Sequence, residues 1–581
     1  MSFDFLPWAR QGWRRLAALA CVGALTSALV ACGGGGYLPS PVSLTSKRAL
    51  PAEFTERKAA AYSPYRTATS EAGLDTEVIT PANVLQDLRL VQGAGIGVIR
   101  LFSSSRFGET VLSVIRSNGL DIKVQLGAYV YNPTDDAAEA RNQAELASMI
   151  DLATRYSDIV LAVSVGNETM VDFSFLKIPP AVMGRYIKQV RDAVTQPVTT
   201  NDNWYFWSNA PTDVLDVVDF AAVHTYPLLD TFYSPDTWDW RQRDVPAEQR
   251  AAAMMDAAIA SAKNEVNAVR TYLDRIGLSD MPIVIGETGW TAIDYNGDPT
   301  LGFRASPVNQ KMYYDRLATW KAEAASNKPP VQIFYFQSFD EQWKSSDDGW
   351  GLFTRDRKAR CVVQNLKPAS ADWVYDTSQT CDETAAVYFD PPVPSDPLAA
   401  SVNQWVLFSD APVATGDLLA TGRSFNPFAG TFAPLTASTA APDGGSQSIE
   451  ITANPQPWGW GFFQSGPSVN MSGFEQGNVN LWIRTNGYPG RIEIGVWTDT
   501  EDREQAESYL AIAPGEYGYC TNDQWCRVSI PVADFVAQNP KLDLRYVTAG
   551  FVISDVFDRT GKPSGTTGLP KIYVDGMSWT R

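Results

Sequence analysis

From residue 59 onward, short runs of small and β-branched apolar residues alternate with longer stretches in which apolar positions recur every three to four residues. The runs fall at 59–65, 97–103, 121–130, 159–168, 197–204, 220–228, 282–290 and 332–341. They read as parallel strands, which are covered on both faces and therefore lack a polar side. The stretches between them, such as 81–92, 143–156, 180–194 and 247–276, read as amphipathic helices, with Pro180 suited to a first turn and Gly277 to a stop. Eight strand–helix units over residues 59–388 predict a closed (β/α)8 TIM barrel in preference to an open doubly wound sheet. Residues 389–400 follow, with four prolines between 389 and 397, and read as a stiff linker. Beyond it the helical period is lost. Runs at 448–453, 479–484, 491–498, 525–531, 547–554 and 571–579 predict an antiparallel β-sandwich, jelly-roll-like, over 401–581.

Two of the barrel runs end in an acid. VSVGNE closes on Glu168, and VIGETGW has Glu287 at its centre. Carboxylates delivered by separate strands to one rim are what glycosidic bond cleavage needs, one as proton donor and one as nucleophile or base. A proton donor at neutral pH needs a pKa above the ordinary glutamate value of about 4.3, whereas a nucleophile must stay ionised. Asn167, just before the acid, is placed to bond a sugar 2-OH or Glu287. Arg100, at the end of the second strand, is a candidate to orient a carboxylate. Tyr226, at the end of the sixth, is a candidate donor to nucleophile or substrate. Trp290 is either a wall for a glucose ring or a core residue.

Composition narrows the chemistry further. The chain has 581 residues, 45% of them hydrophobic, and a net charge of −18, which makes nucleic acid an unsuitable partner. Its 18 Trp, 23 Tyr and 26 Phe suit sugar stacking, although many must be core. A single histidine, His224, rules out His-rich zinc sites and is read as structural; no metal and no cofactor are expected. Arg10, Arg14 and Arg15 precede an apolar stretch from 16 to 30, then Leu29-Val30-Ala31-Cys32 and a glycine run. This resembles a bacterial lipoprotein signal, with 1–31 removed, Cys32 lipidated, and 32–58 a tether to the membrane at the cell envelope. Of the other cysteines, Cys361 with Cys381 and Cys520 with Cys526 form local pairs and are expected as disulfides in that oxidising setting.

Taken in order, YSPY (62–65), GVIRLF (97–102), SVGNE (164–168), ETGW (287–290), FDEQWK (339–344) and DDGWGLF (347–353) resemble glycoside hydrolase family 17. That family comprises β-1,3-glucanases and β-1,3-glucan transglycosylases. The resemblance implies a retaining double displacement at β-1,3-glucosidic bonds, with Glu168 as acid/base and Glu287 as nucleophile. It further implies that Glu341 and Lys344 flank the pair. Asp347 stands where the family has a longer Glu. A retaining pair predicts carboxyl groups about 5–5.5 Å apart, an inverting pair about 6.5–9.5 Å.

Three functions compete at this point. The first is a monomeric, membrane-tethered hydrolase of β-1,3-glucan. The second is a transglycosylase with the same pair, towards which Trp343 and the tryptophans at 204, 207, 238 and 240 lean as acceptor subsites. The third is a surface lipoprotein that binds glucan without turning it over. The sandwich reads as a carbohydrate-binding module in which Trp458 and Trp460 form a glycan platform, or as a structural appendage.

Overall fold

The computed structural model describes residues 45–581 except 172–173, 175, 234–236, 295–303, 365–372, 430–434, 438–443, 453–456 and 559–568. The expected signal segment and Cys32 lie outside the described residues. The chain divides into two compact units, before and after Asp390. Among the described residues no helix is long and apolar enough to cross a membrane.

The first unit is a closed barrel of eight parallel strands in chain order, as expected. The strands are β1 Lys58–Ala61, β2 Ile96–Arg100, β3 Lys123–Ala128, β4 Val160–Asn167, β5 Val198–Asn203, β6 Ala221–His224, β7 Ile283–Thr288 and β8 Gln332–Tyr335. The main helices around it are α1 Pro81–Gly93, α2 Gly108–Ser117, α3 Asp136–Arg155, α4 Pro180–Ala193, α5 Arg250–Arg275 and α6 Pro307–Lys321. Their starts follow local chemistry. The side chains of Thr80, Asp135 and Ser306 accept from the backbone N–H three residues on, which satisfies donors that a first turn leaves open. The Asp135 cap starts α3 seven residues ahead of the expected 143. Most strands are shorter than expected, because the chain stays buried as it turns over the rim. Continued burial prolongs an apolar pattern past the last ladder bond.

Residues 45–58 are not a free tether. Arg48 donates to the backbone oxygens of Gln196 and Arg191 at 2.7 and 2.8 Å, and its N–H donates to Asp219. Phe54, fully buried, packs with Phe220, Phe334, Val98, Leu161 and Val284. An apolar ring there closes the barrel end opposite the strand C-termini. Polar composition concealed this, since a single phenylalanine supplies the contact.

The second unit is a sandwich of a seven-stranded and a five-stranded sheet, mostly antiparallel. The larger holds β9 Gln404–Phe408, β10 Leu418–Leu419, β12 Leu435–Ala437, β13 Ser448–Thr452, β15 Asn478–Thr485, β18 Cys526–Pro531 and β20 Lys571–Thr580. The smaller has the order β11-β14-β19-β16-β17, from Arg423–Ala429, Trp458–Gln464, Val547–Asp555, Ile492–Thr498 and Ala506–Ile512. Trp458 and Trp460 are buried in the core between the sheets, so they form no platform. The expected linker is held to this unit: Asn470 Nδ2 donates to the Ser395 carbonyl at 2.8 Å. Both disulfides are present, Cys361–Cys381 and Cys520–Cys526.

Candidate active site

The C-terminal rim of the barrel gathers groups from four strands. Gly166 takes φ +83°, where a Cβ would lie 2.7 Å from Met183 Cε, and Glu168 takes φ +49°. Only glycine adopts the first conformation without cost, and the turn swings Glu168 onto the rim. Its N–H donates to the Asn201 carbonyl at 2.8 Å. Glu287 lies on β7 and pairs across to His224 on β6, just past a register shift between Val223 and His224.

One oxygen of Glu168, one of Glu287 and an imidazole nitrogen of His224 all lie within 4.8 Å of one another. His224 Nδ1 is 2.8 Å from Glu168 Oε1 and 3.7 Å from Glu287 Oε2. Arg100 Nη1 donates to Glu287 Oε1 at 2.5 Å, its Nη2 donates to Asn167 Oδ1, and Tyr226 donates to Glu287 Oε2 at 2.7 Å. Arg100 and Tyr226 thus meet the nucleophile candidate, whereas Asn167 binds Arg100 rather than Glu287.

The two acids differ in environment. The Glu287 side chain is 7% exposed and that of Glu168 33%. Burial works to raise the Glu287 pKa, but the His224 ring when it is protonated, the Arg100 guanidinium and the Tyr226 hydroxyl outweigh it and hold the carboxyl below the ordinary glutamate range. Glu287 is therefore a carboxylate at any working pH, as a nucleophile must be. Behind Glu168, burial pushes Asp202 up to about 7; the Asn203 N–H opposes that, while the nearby Glu168 charge adds to it. The Glu168, His224 and Glu287 atoms stand close enough to hold a small cation. Arg100 already balances Glu287, which works against a second positive charge there.

The flanking calls divide. Glu341 is buried with Oε2 3.3 Å from Lys344 Nζ, and Lys344 lies 4.2 Å from the Phe336 ring centre and 5.3 Å from that of Trp343. Trp343 is half-buried. The side chain of Asp347 lies outside the described residues. Its neighbour Asp348 is buried and accepts from the N–H groups of Glu341 and Gly349 and from Arg355. Trp290 is a core residue: it is fully buried, donates to the Arg304 carbonyl at 2.9 Å and packs against Tyr313. Trp207 and Trp240 are buried too, while Trp204 and Trp238 are half-buried and Tyr205 is 60% exposed.

His224, expected to be structural, meets both acids. The available signal was its position two residues before Tyr226, which puts both on one face of a strand end.

Two curated relatives carry the description glucan 1,3-beta-glucosidase. The one from Arthroderma benhamiae is 24% identical over 290 residues, 46% of this chain and 82% of its own length. The one from Schizosaccharomyces pombe is 25% identical over 259 residues, 42% and 68%. A solved endo-laminarinase from Formosa Hel1_33_131 is 25% identical with a TM-score of 0.48, covering 54% of this chain and 87% of its own. Residues 419–580 match carbohydrate binding domain 30. Residues 59–351, half of the sequence, match the BtgE/BtgC glycoside hydrolase domain, and the chain belongs to that family as a glycosidase or transglycosylase.

Proposed function

We propose that the barrel cleaves β-1,3-glucan by a retaining double displacement at Glu168 and Glu287. The observation that carries this reading is the approach of one oxygen from each acid to within 4.8 Å, which suits a pair of the retaining spacing. The description of both curated relatives supports the linkage. In the first step a Glu287 oxygen bonds to the anomeric carbon as the glycosidic C–O bond breaks, and the departing oxygen takes the Glu168 proton. In the second, an acceptor hydroxyl gives its proton to Glu168 as its oxygen bonds to the anomeric carbon and the bond to Glu287 breaks.

The acceptor is water or another sugar. Tyr205, exposed beside the edge-on Trp204 ring at 5.8 Å, offers a stacking surface on the rim and keeps transfer open as a second reading. Incubation with laminari-oligosaccharides separates the two by product length. Shorter products alone mean hydrolysis, longer ones mean transfer, and no change on β-1,3-linked chains contradicts the proposal.

The sandwich is proposed to hold glucan on the outer face of its five-stranded sheet. Phe428, Phe463 and Tyr509 surround Trp497 there, with ring centres 5.0 Å apart for Phe463–Trp497 and 5.1 Å for Phe428–Trp497. Gly461 and Gly495 form part of the floor, each closed over by a neighbouring ring. Tyr509 also lines a cleft of about 480 Å³ with Arg491, Phe557 and Glu516. Tyr509→Ala is expected to weaken binding to soluble β-glucan in affinity electrophoresis by about tenfold, the loss of one aromatic contact. Cleavage of short oligosaccharides should be unchanged; undiminished retention would contradict this placement.

A further inference from the structure

We propose that His224 is a positioning residue for Glu168, anchored from behind by Asn201; this rests on the acid/base reading above. His224 is fully buried at the end of β6, with Nδ1 2.8 Å from Glu168 Oε1. Its other nitrogen, Nε2, is buried and has no hydrogen-bond partner, and the same holds for both polar atoms of the Asn201 side chain. Buried polar groups are nearly always hydrogen-bonded, so three unpaired atoms in one spot call for an explanation.

Gly286 shows that these groups face one space. From the point a Cβ on Gly286 would occupy, Asn201 Oδ1 lies 2.3 Å away and His224 Nε2 lies 3.2 Å away. A glycine one residue before the nucleophile leaves room for the amide and the ring to meet. An amide has a donor and an acceptor end, and turning it presents Nδ2 to Nε2. That pairing leaves the ring proton on Nδ1, where it donates to Glu168 Oε1. The second carboxyl oxygen of Glu168 is then the one that delivers the proton to the departing sugar.

Charged groups bear on the ring from every side. Glu168 follows β4, Asp202 lies on β5 and Glu287 on β7, the last also held by Arg100 from β2 and by Tyr226. Without the ring, nothing else among the described contacts fixes the rotamer of Glu168, whose side chain is one-third exposed.

Because the chain has one histidine, nitrogen-15 labelling of histidine gives a single ring to read in the intact wild-type protein. A proton on Nδ1 supports the proposal, and a bare Nδ1 overturns it. Kinetics provide the second arm. His224→Ala should lower kcat on laminari-oligosaccharides about 100-fold with little change in KM, the scale of a misplaced catalytic group. On a dinitrophenyl β-glucoside, whose leaving group needs no proton, the same variant should lose less than about fivefold in the first step. His224→Asn, which keeps a donor near the Nδ1 position, should recover most of the loss. Equal losses on both substrates, or no recovery by Asn, would assign His224 a purely structural role. Wild-type protein inactive on both substrates would instead sink the acid/base reading, leaving the ring-proton measurement to judge the contact alone.

Discussion

Glu287→Gln should lower kcat/KM on β-1,3-glucan oligosaccharides by at least about 10⁴-fold, close to 5.5 kcal/mol of transition-state stabilisation. The substitution keeps shape and volume but replaces the carboxylate with a neutral amide, whose oxygen is too weak a nucleophile to bond to the anomeric carbon. Neither described side chain that hydrogen-bonds Glu287 can substitute. Tyr226 donates its hydroxyl to this carboxylate, and Arg100 is cationic. Glu168→Gln should behave differently, with a loss that depends on the leaving group, because a departing group of low basicity needs no proton. Steady-state rates on a natural oligosaccharide and on an activated aryl glycoside distinguish the two. A Glu287→Gln enzyme within tenfold of wild type would remove this residue from the chemistry.

Arg100→Met is the second large effect. Arg100 is 1% exposed and ties Glu287 to Asn167, so its removal leaves a buried carboxylate without its cation. Breaking a buried pair in this way costs about 3–5 kcal/mol of stability. The pH dependence follows from the pKa of Glu287, lowered from an ordinary 4.5. A folded pKa below the unfolded one means the unfolded state takes up the proton first. The stabilisation is therefore present above pH 4.5 and lost as the pH falls through the lowered folded-state value. In Arg100→Met the carboxyl rises, the loss of stability begins at higher pH, and the acid limb of kcat/KM moves up with it. Chemical denaturation from pH 3 to 7 checks the first effect. Equal stability of variant and wild type across that range would contradict the role given to Arg100.

The barrel was legible because each strand is a short β-branched run flanked by an amphipathic stretch, and that pattern has few solutions. The acid pair was legible because Glu168 and Glu287 end such runs, and Arg100 and Tyr226 because strand ends converge on one rim. Other features depended on contacts between distant segments. A lone histidine in an apolar run looks the same whether it faces a carboxylate or a core. Trp290 has the spacing of a cleft wall, but Tyr313 and the Arg304 carbonyl, from beyond β7, enclose it. Trp458 and Trp460 alternate with Gly459 and Gly461, so one face is aromatic and the other bare. The sequence does not say which of them looks inward, and the tryptophans do. Residues 45–58 read as a tether by composition, yet Phe54 completes the apolar closure of the barrel.

The central claim is that Glu287 forms a covalent bond to the sugar. A 2-deoxy-2-fluoro laminaribioside with a good leaving group slows both steps but the second more, so the glucosyl enzyme accumulates and peptide mass spectrometry locates the label. A single adduct on the peptide carrying Glu287, absent from Glu287→Gln, is the predicted result. Turnover of an aryl laminaribioside with no trapped adduct and an inverted anomeric product, or an adduct on another residue, would contradict it.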